Sequence, residues 1–211
     1  MLSLDVADSS RCPLTFFLHT AHLDMSANQF VEGIPDQICD YTGLRFLKLF
    51  GNSLNSTLPP CLGKLVQLRD LEVGDSGLSG AIPNNLAQLE YLEALDLSGN
   101  SLTGSIRAIV AMVALKDVYL HQNQLTGTIP PELSNLTSLR SLNLSENSMT
   151  GSIPPWSESF TDLESLVLVD NMFVGEIPTA LCSSPNLELT VKDIGCTVYC
   201  SCCGDSEACG R

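Results

Sequence analysis

The chain has 211 residues, a length that suits one large domain or two small ones, and 44% of them are hydrophobic. Ten basic residues stand against 24 acidic ones, which gives a formal net charge of −14. This balance excludes nucleic acid, whose phosphates require a basic surface, and disfavours anionic membranes. Basic proteins, cationic peptides, Ca²⁺ and neutral glycans fit better as partners.

The beginning of the sequence has no signal peptide of ordinary form. The segment MLSLDVADSS carries no basic stretch, and the apolar run PLTFFL is not followed by a small-residue cleavage site. Two interpretations stay open: a cytosolic protein, or a sequence that begins downstream of its true start.

Another apolar run, AIVAMVAL (108–115), is far shorter than the roughly 20 residues that a membrane-spanning helix needs. No membrane span is therefore predicted. We interpret this run as a short helix that faces the core.

Internal repeats dominate the sequence from residue 18 onward. The segment SLRSLNLSENSMTGSIPP (138–155) aligns with YLEALDLSGNSLTGSIRA, ALKDVYLHQNQLTGTIPP and DLESLVLVDNMFVGEIPT. They share the pattern L-x-x-L-x-L-x-x-N-x-L-x-G-x-I-P, with Arg107 in place of the proline in the second segment. The asparagine position recurs every 23 or 24 residues, at Asn28, Asn52, Ser76, Asn100, Asn123, Asn147 and Asn171.

Each position of the pattern has a physical role in a stack of coils, where one coil is one repeat. In L-x-L the leucines point into the coil and the x residues outward, because successive strand residues face opposite sides. The asparagine amides can pair with buried backbone groups of adjacent coils and form a ladder along the stack. Since Ser76 interrupts this ladder in the third coil, we expect a local loss of hydrogen bonds there.

This pattern resembles the plant-type leucine-rich repeat. The resemblance implies an α/β solenoid, a leucine-rich repeat horseshoe with a parallel β-sheet on the concave face and 3₁₀ or short helical turns on the convex side. It divides the chain into a degenerate first coil or N-terminal cap (1–17), seven coils of 23–24 residues (18–182) and a Cys-rich C-terminal cap (183–211).

Six cysteines gather at the end of the chain: Cys182, Cys196, Cys200, Cys202, Cys203 and Cys209. The open end of a solenoid needs a cover, and small segments without a core of their own commonly depend on disulfides. We therefore predict a disulfide-stapled cap whose connectivity stays open. The alternatives are a metal site, which needs thiolates at tetrahedral distance, and a redox site, for which no Cys-x-x-Cys is present.

Two further cysteines, Cys39 and Cys61, occupy similar points of neighbouring coils. They are either small buried apolar residues or the two halves of a disulfide between coils. With Cys12 the total is nine, so one thiol is left over.

Three N-glycosylation sequons occur: Asn55-Ser-Thr, Asn135-Leu-Thr and Asn143-Leu-Ser. Together with the Cys-rich end they favour the secretory pathway, and the plant-type repeat class implies an extracellular or cell-surface location. Asn143 falls on the predicted concave face, where a glycan would block binding. Asn55 and Asn135 are therefore the expected acceptors.

Catalytic motifs are absent from the sequence. It contains no Gly-x-Gly-x-x-Gly, Walker, His-Glu-x-x-His, Gly-x-Ser-x-Gly or kinase signature. We therefore predict no enzyme activity, no cofactor and no metal centre.

The outward strand residues form columns on the predicted concave sheet. Aromatic residues lie near the front of these columns, carboxylates lie in the middle, and a Tyr and a His adjoin them. Like charges on neighbouring strands repel, so the carboxylates are either a solvated surface or part of a site for a basic or hydroxyl-rich ligand. Ca²⁺ bridged by carboxylate oxygens is a further alternative. The predicted ligand-binding residues are Phe46, Phe50, Asp70, Glu72, Asp96, Asp117, Tyr119 and His121.

These observations predict a non-catalytic recognition module that binds a protein, peptide or glycan ligand on its concave face, as a secreted or receptor-like cell-surface protein. One alternative is a soluble inhibitor of a wall-degrading enzyme, similar to the polygalacturonase-inhibiting proteins. Another is an ice-binding protein that uses stacked hydroxyl pairs on the opposite side of the coils. These pairs are Thr103/Ser105, Thr126/Thr128 and Thr150/Ser152.

Overall fold

The structure is a computed structural model that describes residues 21–156, 160–178, 181, 188–190 and 198–199. The predicted N-terminal cap (1–17) lies outside the described residues. So do Cys12 and the six cysteines of the predicted C-terminal cap, Cys182, Cys196, Cys200, Cys202, Cys203 and Cys209.

Short parallel strands are the main regular elements of the described residues. In chain order they are β1 (His22–Asp24), β2 (Phe46–Lys48), β3 (Asp70–Glu72), β4 (Ser79–Ala81), β5 (Ala94–Asp96), β6 (Ser101–Gly104), β7 (Asp117–Tyr119), β8 (Gln124–Gly127), β9 (Ser141–Asn143), β10 (Ser148–Gly151), β11 (Ser165–Val167), β12 (Met172–Phe173), β13 (Gly175–Glu176), β14 (Glu188–Thr190) and β15 (Val198–Tyr199).

The L-x-L motifs build the main sheet, whose strand order within the described part of the chain is β1-β2-β3-β5-β7-β9-β11-β14. A second parallel sheet has the order β4-β6-β8-β10-β12, and β13 pairs with β15. Neighbouring strands of the main sheet come from successive coils, as a solenoid requires. The predicted α/β solenoid is confirmed.

Short 3₁₀ helices lie between the second sheet and the next strand of the main sheet. In the described residues they are Asp36–Asp40, Pro60–Lys64, Asn84–Gln88, Arg107–Ala111 and Pro131–Asn135. Four follow a proline in extended conformation, which ends the preceding segment. The helix Arg107–Ala111 follows Ile106 instead, and it buries Ala108 and Ile109. These two residues face the core, as predicted, whereas Val113 of the same apolar run is 52% exposed.

The core is a column of leucines that runs through all the described coils. The central residue of each main-sheet strand from β2 to β11 is at most 1% exposed, and these residues are Leu47, Leu71, Leu95, Val118, Leu142 and Leu166. Alternation along the strand sends the flanking residues to the opposite side. The solvent-facing side of the main sheet is therefore formed by the residues at the x positions of the L-x-L motifs.

The ladder asparagines connect adjacent coils through their side-chain amides. The Nδ2 of Asn147 donates to the carbonyl oxygens of Leu120 (2.9 Å) in the preceding coil and Leu144 (3.0 Å) in its own. Its Oδ1 accepts from the N–H of Leu125 at 2.9 Å. At the front of the stack, Asn28 donates to carbonyl oxygens of its own coil. The inter-coil pattern recurs at Asn52, Asn100, Asn123 and Asn171.

Ser76 does not break this ladder, so the expected loss of hydrogen bonds is wrong. Its Oγ lies 3.0 Å from the carbonyl oxygen of Leu49 in the preceding coil and 2.9 Å from that of Gly74. The N–H of Leu54, whose counterparts in other coils bond to an asparagine Oδ1, bonds to the Ser76 carbonyl oxygen at 2.9 Å. A hydroxyl and a backbone carbonyl thus take over the two roles of the amide.

Candidate functional site

The main sheet places the predicted ligand-binding residues in aligned columns. One column runs His22, Phe46, Asp70, Ala94, Asp117, Ser141, Ser165, and the next runs Asp24, Lys48, Glu72, Asp96, Tyr119, Asn143, Val167. Phe50 and His121 follow their strands on the same side. The columns agree with the sequence-based assignment because the 23–24-residue period fixes which residues become neighbours.

Aromatic rings form the front of this concave face. The rings of His22 and Phe46 stack with centroids 4.1 Å apart and an interplanar angle of 10°. Phe50 is 39% exposed, one of the few large apolar side chains of the described residues with this much surface in water. An exposed aromatic ring on a rigid sheet offers contact area that costs little conformational entropy to bind.

Phe50 leans over Gly74 of the next coil. A Cβ added to Gly74 would lie 3.0 Å from Phe50 Cδ2, 3.1 Å from Ser98 Oγ and 3.2 Å from Asp96 Oδ1. Because Gly74 has no side chain, the phenyl ring and the Asp96 carboxylate both pack close to its Cα, with no room left for a methyl group. This packing brings an apolar group and a negative charge together across three coils.

Lys48 enters the acidic cluster formed by Asp70, Glu72, Asp96 and Asp117. Its Nζ lies 2.6 Å from Glu72 Oε1 and 3.3 Å from Asp70 Oδ2. The Glu72 hydrogen bond is the main reason that the pKa of Lys48 is raised, against the opposing effect of burial. One cation thus offsets part of the repulsion between the carboxylates. From the sequence, only solvent or a bound ligand was expected to offset it.

Asp70 remains poorly satisfied in spite of this ion pair. Burial, followed by the charge of Glu72, raises the pKa of Asp70, and Lys48 only partly opposes the shift. Among the described residues, the buried Oδ1 atom of Asp70 has no hydrogen-bond partner. Leaving a buried acceptor unsatisfied costs stability.

Asp96 is held by a local turn. Its Oδ1 accepts from the N–H (2.9 Å) and the Oγ (2.6 Å) of Ser98. Asn143 makes the same pair of bonds with Ser145, at 3.1 and 2.7 Å. One Asp96 oxygen is therefore already occupied within the chain.

Tyr119 and His121 lie beside the acidic cluster. Their rings meet edge to face with centroids 6.5 Å apart. Among the described residues, the buried Nδ1 of His121 has no hydrogen-bond partner. The side chain as a whole is half-buried, and its predicted role in ligand binding stays a prediction.

The residue just before each main-sheet strand forms a further column that sequence reasoning missed. Glu93 lies between Arg69 (2.6 Å to Oε1) and Lys116 (2.5 Å to Oε2). The Lys116 hydrogen bond first, and the Arg69 bond second, lower the pKa of Glu93. The signal was present in the repeat, because this position reads Arg45, Arg69, Glu93, Lys116, Arg140 and Glu164 and so places acidic residues beside basic ones.

Metal binding finds no support in the described residues, among which no three His, Cys, Asp or Glu side chains come together as a metal site needs. This includes the carboxylates considered for Ca²⁺. Across the same described ranges, no helix has the length and apolar character that crossing a bilayer demands.

The hydroxyl pairs proposed for ice binding lie exposed on and beside the second sheet. Strand register pairs Thr103 with Gln124 and Thr150 with Met172. Longer side chains thus alternate with the threonines across the strands. The strand register therefore does not produce a flat, uninterrupted array of hydroxyl groups.

Cys39 and Cys61 form a disulfide with a Cα–Cα distance of 5.8 Å. It joins the 3₁₀ helices of the first two coils, Asp36–Asp40 and Pro60–Lys64. Of the two interpretations left open by the sequence, the inter-coil disulfide is therefore the one found.

Comparison with known proteins supports the same architecture. The family model described as Leucine Rich Repeat matches residues 43–65, 91–111, 114–136 and 138–160. No curated protein sequence matches the chain significantly.

Solved plant receptors share the fold. A TDR receptor is 33% identical over 85% of this chain and 31% of its own, with a TM-score of 0.80. The plant peptide hormone receptor RGFR1 in complex with RGF2 is 33% identical over 85% of this chain and 28% of its own, with a TM-score of 0.77. The Arabidopsis receptor kinase HAESA, solved with the peptide hormone IDA and the co-receptor SERK1, is 32% identical over 82% of this chain and 29% of its own, with a TM-score of 0.76.

The chain thus spans less than a third of the length of each of these three relatives. In this chain, the 23–24-residue coils, the parallel main sheet and the asparagine ladder accompany these matches. The chain belongs to the plant-type leucine-rich repeat proteins.

Proposed function

We propose that this chain is a non-catalytic recognition module that binds a peptide or protein ligand on its concave sheet, outside the cell or at its surface. The observation that carries the proposal is the pairing of the exposed Phe50 ring with the Asp96 carboxylate, both of which pack over Gly74 on the main sheet. The binding residues are Phe46, Phe50, Asp70, Glu72, Asp96, Asp117, Tyr119 and His121.

The dimensions of the sheet suit an extended peptide. Adjacent strands lie about 4.8 Å apart, so the seven strands from β1 to β11 span roughly 29 Å. An extended chain advances about 3.3 Å per residue, so about nine residues would cross the columns. The structural relatives RGFR1 and HAESA were solved with peptide hormones, which supports this class of ligand.

The charge of the face favours a ligand with a basic group. Four carboxylates and one ammonium group leave the acidic cluster with a net negative charge, and the chain as a whole carries −14. A lysine or arginine of the ligand would pair with the carboxylates of the acidic cluster and rest against the exposed ring of Phe50. Complementary charge would chiefly raise the association rate and the salt dependence.

The test uses the purified chain and a fluorescent library of nine-residue extended peptides, half of which carry one central Lys or Arg. Binding is followed by anisotropy at low and physiological salt. We expect basic members to bind preferentially, and Phe50→Ala to weaken the best of them about tenfold, or about 1.4 kcal/mol. The double variant Asp96→Asn/Asp117→Asn should reduce the salt dependence without unfolding the chain.

Tyr91→Ala is the matched control, because Tyr91 is 55% exposed but precedes the main sheet instead of lying on its concave face. It should leave binding unchanged. Binding that survives Phe50→Ala and the double variant, or that is lost with Tyr91→Ala, would show that the concave assignment is wrong.

If the protein ligand is a wall-degrading enzyme, the chain is an inhibitor of that enzyme. The same rigid face would then dock on a protein surface, and Phe50 would supply the aromatic anchor. Adding the purified chain to a polygalacturonase assay tests this. A lower rate that Phe50→Ala restores supports inhibition, whereas an unchanged rate removes this version of the proposal.

A further inference from the structure

We infer that Asn135 is the N-glycan acceptor of this chain, and that the sequons at Asn143 and Asn55 stay unmodified. The inference rests on the extracellular route proposed above, because the transferase that attaches such glycans acts inside the secretory pathway. It selects one of three sequons by the geometry of each amide.

The Asn135 sequon is open to solvent at both functional positions. Asn135 is the last residue of the 3₁₀ helix Pro131–Asn135, and both it and Thr137 are exposed. Leu136 between them is fully buried and fixes the segment to the core. No hydrogen bond of the described residues engages the Asn135 amide, so its Nδ2 has no partner to lose.

The Asn143 sequon is closed on itself. The Oδ1 of Asn143 accepts from the N–H (3.1 Å) and the Oγ (2.7 Å) of Ser145, the other functional residue of the same sequon. Ser145 is only 5% exposed. Strand register places Asn143 between Tyr119 and Val167. A sugar here would have to stand among the concave side chains and break the local turn.

The Asn55 sequon is exposed, but its amide is already in use. Asn55 has a left-handed backbone, with φ of +48°, and its Nδ2 donates to the carbonyl oxygen of Ser53 at 2.8 Å. A Cβ added to Gly77 of the next coil would lie 2.6 Å from Asn55 Oδ1, so the amide is also confined between coils. A sugar on this nitrogen would displace it from that position.

The modification is a substitution at the anomeric carbon of a lipid-linked oligosaccharide. The Asn135 Nδ2 forms a bond to C1 and loses one proton to a base of the transferase. The bond between C1 and the pyrophosphate oxygen breaks, and the polyprenyl pyrophosphate leaves with the electron pair. No oxidation or reduction takes place.

The position of Asn135 also separates the glycan from the concave face. The 3₁₀ helix that ends at Asn135 lies on the convex side of the solenoid, whereas Phe50 and the acidic cluster lie on the main sheet. A glycan at Asn135 would therefore solubilise the convex surface and leave the ligand columns uncovered.

The test translates the full chain behind a cleavable signal sequence in the presence of microsomes, so that entry into the lumen is imposed. Protease protection identifies the translocated molecules. We expect one endoglycosidase-sensitive mobility shift that Asn135→Gln and Thr137→Ala abolish. Asn143→Gln and Asn55→Gln should keep it. Deglycosylation in ¹⁸O-water followed by peptide mass spectrometry should mark residue 135.

Two results would overturn the inference: protease-protected chain without any glycan, or a shift that persists in Asn135→Gln. Neither result bears on ligand recognition, because peptide binding is measured separately on unglycosylated chain. Conversely, if Asn135 carries a glycan but the chain binds no peptide, the glycan site is supported and the proposed function is wrong.

Discussion

The hydroxyl of Ser76 lies 3.0 Å from the carbonyl oxygen of Leu49 in the preceding coil. It makes the inter-coil hydrogen bond that an asparagine amide makes in the other coils. Ser76 is fully buried. Its own carbonyl oxygen accepts the N–H of Leu54, so the backbone has filled the place of the missing Oδ1. The hydrogen bonds of the third coil are therefore specific to a serine at this position.

Restoring the consensus residue should consequently lower stability. Ser76→Asn adds atoms to a site whose acceptor role is already taken, and overpacking costs about 1–3 kcal/mol. Ser76→Ala should also cost about 1–3 kcal/mol, because the carbonyl oxygens of Leu49 and Gly74 lose a buried donor. Urea unfolding of both variants checks this. A more stable Ser76→Asn chain would show that the coil is not adapted to serine.

A second prediction concerns the pH dependence of stability at Asp70. Burial and Glu72 raise its pKa above the ordinary value of 3.8. The folded chain then holds this proton more tightly than the unfolded chain, so the contribution of Asp70 becomes less favourable as the pH rises from 3.8 through the folded pKa. Asp70→Asn should therefore increase the free energy of unfolding at pH 7, while Lys48 keeps its bond to Glu72.

Glu93→Gln is the matched control with the opposite sign. Lys116 and Arg69 lower the pKa of Glu93, so its contribution is present above its ordinary value of 4.5 and is lost as the pH falls through the folded pKa. This variant should be less stable at pH 7 by about 0.5 kcal/mol, as expected for exposed ion pairs. Both differences should shrink toward pH 3 in urea titrations. A less stable Asp70→Asn chain at pH 7 would contradict the proposed cost of burial.

A third prediction concerns the disulfide that pins the first described coil. Cys39→Ser/Cys61→Ser removes a cross-link that closes a loop of sequence separation 22, and the chain-entropy model assigns such a loop about 3 kcal/mol. Hydrogen exchange should accelerate mainly in β1 and the helix Asp36–Asp40. Because His22 stacks on Phe46, the front of the concave face should loosen with them. Uniform destabilisation of all coils would argue against a local clamp.

The sequence predicts the parts of this molecule that depend on period alone. Once the asparagine positions are indexed, the outward columns follow, and the register of the strands agrees with them. The pairing of Lys48 with Asp70 and Glu72 was missed because it depends on side-chain conformation as well as register. The Cys39–Cys61 bond stayed open because spacing does not set the distance between two Cα atoms on successive helices.

The last prediction contrasts two buried glycines that receive the same methyl group. In Gly74→Ala the new Cβ meets the movable phenyl ring of Phe50 at 3.0 Å. The ring can swing away, so stability should change by less than about 1 kcal/mol, while peptide binding to the displaced ring should weaken. In Gly63→Ala the Cβ would clash with the backbone carbonyl oxygen of Asn85, which cannot move without separating two 3₁₀ helices. That variant should lose about 1–3 kcal/mol or more of unfolding free energy.

Thermal unfolding and peptide anisotropy on both variants separate the two effects. If Gly74→Ala binds peptide like the parent chain, the ring of Phe50 is not part of the binding site.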